Sequence, residues 1–318
     1  MTRQLTWKVC VIRKGENNHD PRRRRNRFIG RKIAQRLLTQ GRPVRVLARH
    51  NSPSEELAKA GMATPLDTLI KAGAEVVYGD MKDIPSLNAA CQGVETLITT
   101  ANSVLRGGPD NLDSVDLNGN LNLIAAARQA GVQHFIFTSA LGASPDHPTP
   151  LFAAKGKVEL ALRQSGMIFT ILAPHVFMDV WVMVVVGMPV LHGQPVSLFE
   201  PASHRHSMIA VEDVAGYAVA AVDNPAARNA YLPMGGPEAL SWMQTVATFE
   251  RVLGRPVQVN LFKPGEALPG QPDWVNQMLP AMETFEVVLD MSELSGVFGV
   301  PPTSLEEFIR KLMGAAQA

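Results

Sequence analysis

Two polar side chains could take part in proton transfer. One lies at the end of a predicted strand, and the other lies in a predicted helix. Ser139 follows a predicted strand over 134–138, and Lys155 lies in the first half of a predicted helix over about residues 151–164. Desolvation disfavours the charged form of a lysine, so a covered Lys155 has a lowered pKa and can donate a proton. A serine hydroxyl can hydrogen-bond a substrate oxygen, although a simple turn serine explains Ser139 equally well. If both are functional, Lys155 and Ser139 are the catalytic residues.

Arg49 follows another predicted strand, over 44–48, at a place where nucleotide-binding sheets contact the adenine ribose. An acidic residue there would accept from the ribose 2′-hydroxyl and favour NAD, whereas an arginine suits a 2′-phosphate. We therefore expect NADP(H) as the preferred cofactor, with NAD(H) as the alternative. The neighbouring His50 is included in this predicted cofactor site. The competing interpretation is a solvated loop arginine beside a histidine without a role.

Two further strand ends are candidates for cofactor contact. The fourth predicted strand ends in small residues that leave room for a ribose, although ordinary turn chemistry gives the same composition. These are Thr99, Thr100 and Ala101. After the sixth predicted strand, Pro174 and Val176 are expected to pass the nicotinamide. His175, between them, is a candidate acid or a polar rim residue.

The sequence predicts no metal site. His204-Arg205-His206 is a basic cluster that could line a lid, but no carboxylate or cysteine completes a recognisable ligand set around it. Cys10 and Cys91 both lie in apolar strand or helix settings. They are expected to be buried thiols, as in a cytosolic protein.

The elements that position these residues alternate between strand and helix. A strand over 7–12, a helix over 28–38 and a strand over 44–48 make one βαβ unit. Four further strands follow, with helices between them, over 75–78, 96–100, 134–138 and 169–173. One of these helices is predicted to be long, over about residues 111–130, and a shorter helix is predicted over about residues 237–253. The predicted fold class is α/β, a doubly wound parallel sheet with a smaller C-terminal α+β lid domain. Residues 1–174 are expected to bind the nucleotide, and residues 175–318 are expected to form the substrate and lid region.

The loop over residues 13–27 departs from what a nucleotide site requires. Such a loop should be short and rich in glycine, so that a pyrophosphate can reach the amides that begin the helix. Those amides belong to Phe28, Ile29 and Gly30, but the loop before them is long and basic, with Gly15 as its only glycine. Three explanations stay open: a disruption of the reading frame, a genuine loop of this protein, and a nucleic-acid or phosphate-binding patch.

The composition excludes several classes of protein. The chain has 318 residues, is 46% hydrophobic and 19% charged, and carries a net charge of +1, so we expect no nucleic-acid partner. No apolar leader segment is visible near Met1, and the most apolar stretch, over 180–191, is too short to span a bilayer. We therefore expect a cytoplasmic protein without membrane contact.

The order of several short motifs resembles one family. The motifs are Phe28-Ile29-Gly30-Arg31, Gly79-Asp80-Met81-Lys82-Asp83, Gly119-Asn120-Leu121-Asn122-Leu123, Phe135-Ile136-Phe137-Thr138-Ser139, Lys155-Gly156-Lys157-Val158-Glu159, Val211-Glu212-Asp213-Val214-Ala215 and Gly235-Gly236-Pro237-Glu238. Together they resemble the NmrA-like branch of the atypical short-chain dehydrogenases/reductases, over nearly the whole chain except residues 13–27.

The resemblance implies a Rossmann domain that binds NADP(H) or NAD(H) and an oxidoreductase that reduces a small carbonyl or quinone-like substrate. It also implies that Asp80 and Met81 flank the adenine, that Ser139 lies near the nicotinamide, and that Lys155 holds the nicotinamide ribose. The sequence departs from the family pattern at residues 13–27. It also departs at Leu151, which occupies the tyrosine place of the Tyr-x-x-x-Lys pair.

Two alternatives to a reductase follow from these departures. One is a non-catalytic NAD(P) redox sensor that regulates a protein partner. The other is a family member with impaired cofactor binding, because residues 13–27 replace the glycine-rich loop. The sequence leaves open a homodimer and a protein partner.

Overall fold

The computed structural model describes residues 9–12, 29–49, 65–103 and 110–317, with the backbone alone for 9–12 and 315–317. The predicted contacts Phe28 and His50, the Cys10 side chain and the loop 13–27 lie outside the described residues. The chain divides into two compact units. The first unit comprises the described residues up to Ala173 together with Val214–Leu232, and the second comprises Pro174–Asp213 and Pro233–Ala318.

A parallel sheet with helices between its strands forms the first unit. Its strands are β1 (Val9–Ile12), β2 (Val44–Ala48), β3 (Glu75–Tyr78), β4 (Thr96–Thr99), β5 (His134–Thr138) and β6 (Ile168–Pro174). Its helices are α1 (Ile29–Thr39), α2 (Pro65–Lys71), α3 (Ile84–Cys91), α4 (Asn118–Gln129) and α5 (Pro150–Arg163). The Val211–Ala220 helix and a short 3₁₀ turn, Pro225–Ala227, follow later in the chain.

The strand order confirms the predicted fold class. It runs β3-β2-β1-β4-β5-β6, with the strand Ala230–Met234 beyond β6. All neighbours from β3 to β6 are parallel, and Val11 pairs with both Val46 and Ile98. The order therefore reverses between β1 and β4. In doubly wound sheets ligands bind beyond the carboxyl ends of the strands, near this reversal.

Burial explains why these segments form. Helix α1 buries Ile33, Ala34 and Leu37 on one face and stops at Gly41, whose φ of +73° suits a glycine. All five residues of β5 are buried, as expected for a central strand with both faces covered. Beside it, a cluster of fully buried apolar side chains includes Phe135 and Leu162. Each such side chain contributes roughly 1.5–3 kcal/mol by leaving water.

The long helix predicted over residues 111–130 is two helices of different pitch. A π-helix, Leu112–Leu117, precedes α4. Asn111 caps the π-helix in a reciprocal capping box with Ser114. The correction matters because π-turns widen a helix and re-aim its side chains.

Two small strand pairs and several helices form the second unit. The strand Val196–Phe199 pairs in parallel with Val259–Phe262, and His206–Ser207 pairs antiparallel with Ala239–Leu240. The helices are a π-helix Met178–Gly187, Met188–Leu191, Trp242–Leu253, Asp273–Met282, Ser292–Phe298 and Leu305–Gln317. Their shared core includes the buried Trp242 and Phe249. None of the described helices is both long and apolar enough to cross a bilayer.

The helix predicted over 237–253 begins only at Trp242. Ser241 caps it in a reciprocal capping box with Gln244, and Ala239–Leu240 before the cap is strand. The capping signal was present in the sequence, but the preceding residues were assigned to the helix without it.

Candidate functional site

Lys155 is buried on the inner face of α5, in the first unit. Its side chain donates from Nζ to the Thr138 carbonyl oxygen at 3.0 Å, and Nζ lies 5.3 Å from the centroid of the Phe137 ring. Gly156 lets α5 approach this closely, since a Cβ there would lie 2.1 Å from the Ser144 carbonyl carbon. The sequence thus fixes Lys155 directly beside the carboxyl end of β5.

The pKa of Lys155 is lowered, chiefly because burial removes water from the ammonium group. The carboxylates of Asp116 and Glu159 oppose this shift. Lys155 therefore has an ammonium group that gives up its proton more readily than a solvated lysine. That property is useful in a proton donor.

Ser139 is directed towards a carboxylate. Its Oγ donates to Glu159 Oε1 at 2.5 Å, and its backbone N–H donates to the Leu172 carbonyl at 2.7 Å. Burial raises the pKa of Glu159, while Ser139, Arg163 and Lys155 oppose that rise. In this arrangement Ser139 Oγ donates its hydrogen to Glu159. A ligand could therefore bind the Ser139 hydroxyl only by donating to its oxygen lone pairs.

Asp116, in the π-helix before α4, is a buried carboxylate that is only half satisfied. Its Oδ2 accepts from the Ser103 N–H at 2.7 Å and from Ser103 Oγ at 2.6 Å. Its Oδ1 is buried and has no hydrogen-bond partner among the residues that the structure describes. The same holds for the Oγ1 of Thr138, within that described part of the chain. Buried polar atoms usually have a hydrogen-bond partner. These two atoms are therefore candidates for hydrogen bonds to a ligand or to water.

Asn120 ties the π-helix to the end of β4. Its Nδ2 donates to the carbonyls of Val115 (3.1 Å) and Asp116 (3.0 Å), and its Oδ1 accepts from Thr99 Oγ1 at 3.2 Å. Thr99 Oγ1 also accepts from the Ala101 N–H at 3.3 Å. The hydroxyl hydrogen of Thr99 is thus used within the scaffold, so Thr99 could meet a ligand only as an acceptor.

A second group of charges lies where β2 and β3 end. Arg49 Nη1 contacts Asp110 Oδ2 at 2.7 Å, and Lys82 Nζ contacts Asp110 Oδ1 at 2.8 Å. The Asp80 carboxylate accepts from the Lys82 N–H at 2.9 Å and lies 3.9 Å from Lys82 Nζ. We call Arg49, Asp80, Lys82 and Asp110 the strand-end charge cluster. Met81, between two of its members, is buried and packs against Gly119.

Pro174, His175 and Val176 lie in the second unit, where His175 and His206 form a hydrogen-bonded pair. The carbonyl of Met282 can only accept, so His206 Nε2, 2.9 Å away, carries a hydrogen. Neutral His206 then accepts at Nδ1 from His175 Nε2, at 3.0 Å. Burial, aided by His206, lowers the pKa of His175 to about 3. His175 is therefore neutral at physiological pH, which does not favour the predicted acid role.

The other members of the basic cluster lie beside carboxylates that sequence reasoning did not pair with them. His204 Nδ1 lies 3.2 Å from Glu283 Oε2, and the Arg205 guanidinium forms two hydrogen bonds to Glu286. Among the described residues, no group of three His, Cys, Asp or Glu side chains is placed to hold a metal ion.

Sequence reasoning proposed Lys155, Arg49 and Asp80 but missed the other carboxylates around them. Glu159 lies four residues after Lys155 on the same helix, and this spacing was a usable signal. Asp116 and Asp110 follow no such rule, because their burial depends on the π-helix and on distant strands. As cofactor contacts, all the predicted residues of the first unit stay predictions, including Ile29, Gly30, Thr100 and Ala101.

The sheet order and the polar groups at its carboxyl end define a Rossmann-type α/β protein. The NmrA-like family model matches residues 28–310, and the chain therefore belongs to the NmrA-like family. It is 26% identical over 278 residues to an NAD(P)H azoreductase of Xenophilus azovorans, covering 86% of this chain and 88% of that protein. It is also 27% identical over 232 residues to the photosystem II assembly factor Ycf39 of Trieres chinensis, covering 73% and 68%.

A solved structure shares the fold. It is an NADPH-dependent quinone oxidoreductase from Escherichia coli, complexed with NADPH. Its TM-score is 0.73 at 21% identity, and the match covers 96% of this chain and 99% of that one.

Proposed function

We propose that this chain is an NADP(H)-dependent reductase that acts on a small carbonyl or quinone-like compound. The observation that carries the proposal is the buried polar group at the carboxyl end of the sheet. There Lys155 lies among Asp116, whose Oδ1 is unsatisfied within the described residues, and Ser139. The azoreductase is similar to this chain in sequence and the quinone oxidoreductase is similar in fold, and the names of both include a nicotinamide cofactor.

The residues of the first unit fit such a cofactor in two places. Arg49 and Lys82 supply cations for a 2′-phosphate, which is the reason for expecting NADP(H) rather than NAD(H). The amides that begin α1, at Ile29 and Gly30, are suited to a pyrophosphate, since a helix N-terminus attracts anions. The bound nicotinamide would supply the hydride.

Lys155 supplies the proton in this proposal. Its ammonium group has a lowered pKa, so it can pass a proton to a substrate oxygen and regain one from water. Ser139 positions Glu159 through its short hydrogen bond, and Glu159 in turn favours the charged form of Lys155. Leu151 cannot donate a proton in the place of the family's tyrosine.

The test is NADPH oxidation with a panel of quinones and small carbonyl compounds, measured for the wild type, Lys155→Met and Lys157→Met. General acid catalysis is worth about 10²–10⁴-fold, so Lys155→Met should lose at least about a hundredfold in kcat. Lys157 is exposed on the same helix, and its variant should keep wild-type activity. Equal activity of the two variants would contradict the proposed role of Lys155.

A non-catalytic regulator that binds NADP(H) is the second candidate. Leu151 in the tyrosine place favours it, and one relative is named as an assembly factor. Tight NADPH binding without turnover of any substrate would support this candidate over the reductase.

The third candidate is a family member with impaired cofactor binding. The test is a fluorescence titration with NADPH and NADH, repeated on a variant whose residues 13–27 are replaced by Gly-Gly-Thr-Gly. Binding by the replaced variant alone would mean that the sheet retained its nucleotide site while the natural loop blocks it.

A further inference from the structure

Asp110 occupies the position that an anionic ligand of Arg49 and Lys82 would take. Its two oxygens contact different cations, Arg49 Nη1 at 2.7 Å and Lys82 Nζ at 2.8 Å. The Asp110 carboxylate accepts from both cations, and a phosphate bound between Arg49 and Lys82 would accept from the same donors. The Asp110 side chain is 6% exposed, whereas those of Arg49 and Lys82 are 26% and 38% exposed. The cations thus remain accessible while the carboxylate between them is covered.

Among the residues that the structure describes here, the charges of the strand-end cluster balance. Arg49 and Lys82 carry two positive charges, and Asp80 and Asp110 carry two negative charges. A 2′-phosphate that arrives with Asp110 still in place meets a neutral cluster and a nearby like charge, which costs free energy. Arg49 nonetheless retains a donor, because its buried Nε has no hydrogen-bond partner within the described residues.

We propose that Asp110 is a built-in competitor for the 2′-phosphate. It holds Arg49 and Lys82 when no nucleotide is bound, and it must release at least one of them when NADP(H) binds. The inference rests on the proposed nucleotide site and deepens it. Asp110 therefore weakens the preference for NADP(H) that Arg49 alone would give, and it sets how strongly the site distinguishes NADPH from NADH.

The experiment compares wild type with Asp110→Asn and with Asp113→Asn as the matched control. Asp113 is exposed in the first turn of the neighbouring π-helix, so its variant removes the same charge outside the cluster. The probes are adenosine 2′,5′-bisphosphate, which carries the 2′-phosphate, and adenosine 5′-monophosphate, which lacks it. Dissociation constants are measured by calorimetry, together with NADPH and NADH titrations by fluorescence.

We expect Asp110→Asn to bind the 2′,5′-bisphosphate about tenfold more tightly than wild type and the 5′-monophosphate within about twofold. The NADPH-to-NADH preference should rise by the same tenfold factor, and Asp113→Asn should change neither ratio. If Asp110→Asn does not fold, Asp110→Ser repeats the test with a smaller neutral side chain.

The outcomes separate the inference from the proposed function. Wild type that binds NADPH, with a neutral variant of Asp110 that binds it no more tightly, overturns the inference alone. Absence of nucleotide binding in all variants overturns the proposed function and the inference with it. A variant that binds NADPH where the wild type does not supports the competitor role directly.

Discussion

Two buried threonines on neighbouring strands, Thr170 on β6 and Thr138 on β5, have opposite hydrogen-bond states. Thr170 Oγ1 donates to the Ala227 carbonyl at 2.6 Å and is hydrogen-bonded with His134 Nε2 at 2.8 Å. Thr138 Oγ1, at the last residue of its strand, has no partner in the described part of the chain. Thr170 is thus satisfied by the fold, whereas the Thr138 hydroxyl at the carboxyl end of its strand is left unpaired within the described residues.

The difference bears on the stability of the folded state. Satisfied polar groups such as Thr170 contribute to the folded state, and removing one partner leaves the other buried and unpaired. Unsatisfied groups such as Thr138 and Asp116 cost stability until a ligand or water pairs with them. Four predictions test this contrast, from the largest expected effect to the smallest.

Gly156→Ala should remove the carboxyl-end arrangement altogether. The new Cβ would lie 2.1 Å from backbone of Ser144, so α5 must move and carry Lys155 with it. We expect a loss of about 3 kcal/mol in the free energy of unfolding and no reductase activity. Gly296→Ala is the control, because its Cβ meets nothing within 4 Å in a helix. Denaturant melts of both variants check the prediction, and equal stability of the two would contradict it.

The two threonines should respond oppositely to valine. Thr170→Val leaves the Ala227 carbonyl and His134 Nε2 without their hydroxyl partner, so we expect about 2 kcal/mol of destabilisation with nucleotide affinity unchanged. Thr138→Val removes a hydroxyl that has no partner in the described structure, so stability should stay the same or rise. Chemical denaturation and an NADPH titration measure both quantities. A larger loss of stability for Thr138→Val would reverse the proposed contrast.

The free energy of unfolding should fall when the pH falls below about 6.5. Burial, with help from Arg228, lowers the pKa of His134 from 6.5 to about 4. Between these values the unfolded chain binds more protons, so the contribution is present above pH 6.5 and is lost towards pH 4. We expect this residue to lower the free energy of unfolding by about 1–2 kcal/mol between pH 7 and pH 5. Melts of wild type and His134→Gln over this range check it, and equal slopes would exclude His134 as the cause.

The smallest effect is expected for Asp116→Asn, seen in the pH dependence of the reaction. Asp116 raises the pKa of Lys155 against the effect of burial. The amide keeps an acceptor for Ser103 but loses the charge. The limb of the kcat/KM profile that reports Lys155 should therefore move to lower pH, and Asp113→Asn should leave it in place. A shift to higher pH would contradict the assigned electrostatic role.

The sheet of the first unit was predictable because its strands are locally distinct. The β5 segment, His134–Thr138, is an apolar run that is buried throughout, and Gly131, with its φ of +76°, marks the end of the helix before it. In the second unit, Val196–Phe199 pairs with Val259–Phe262 across more than fifty residues, and no local pattern indicates such a partner. The strand pairs there were missed for that reason.

The candidate site was predictable in part. Arg49 and Asp80 were proposed from their places after strands, since parallel strands gather their carboxyl ends at one edge, and Lys155 was proposed from its place in a helix. Asp110 and Asp116 became visible only through burial and pairing, which depend on how distant segments pack. The sequence shows which residues are charged, but the fold determines which opposite charges lie beside them.

Val214–Leu232 belongs to the first unit, although it follows a segment of the second unit in the chain. This connectivity also constrains when the first unit can fold during synthesis. Thr170 donates to the carbonyl of Ala227, and Arg42 pairs with Asp223. A nascent chain that has emerged only to residue 174 lacks both partners and the strand that covers the edge of β6. The first unit therefore cannot finish folding on the ribosome until residue 232 has left the exit tunnel, by which time the first segment of the second unit has emerged as well.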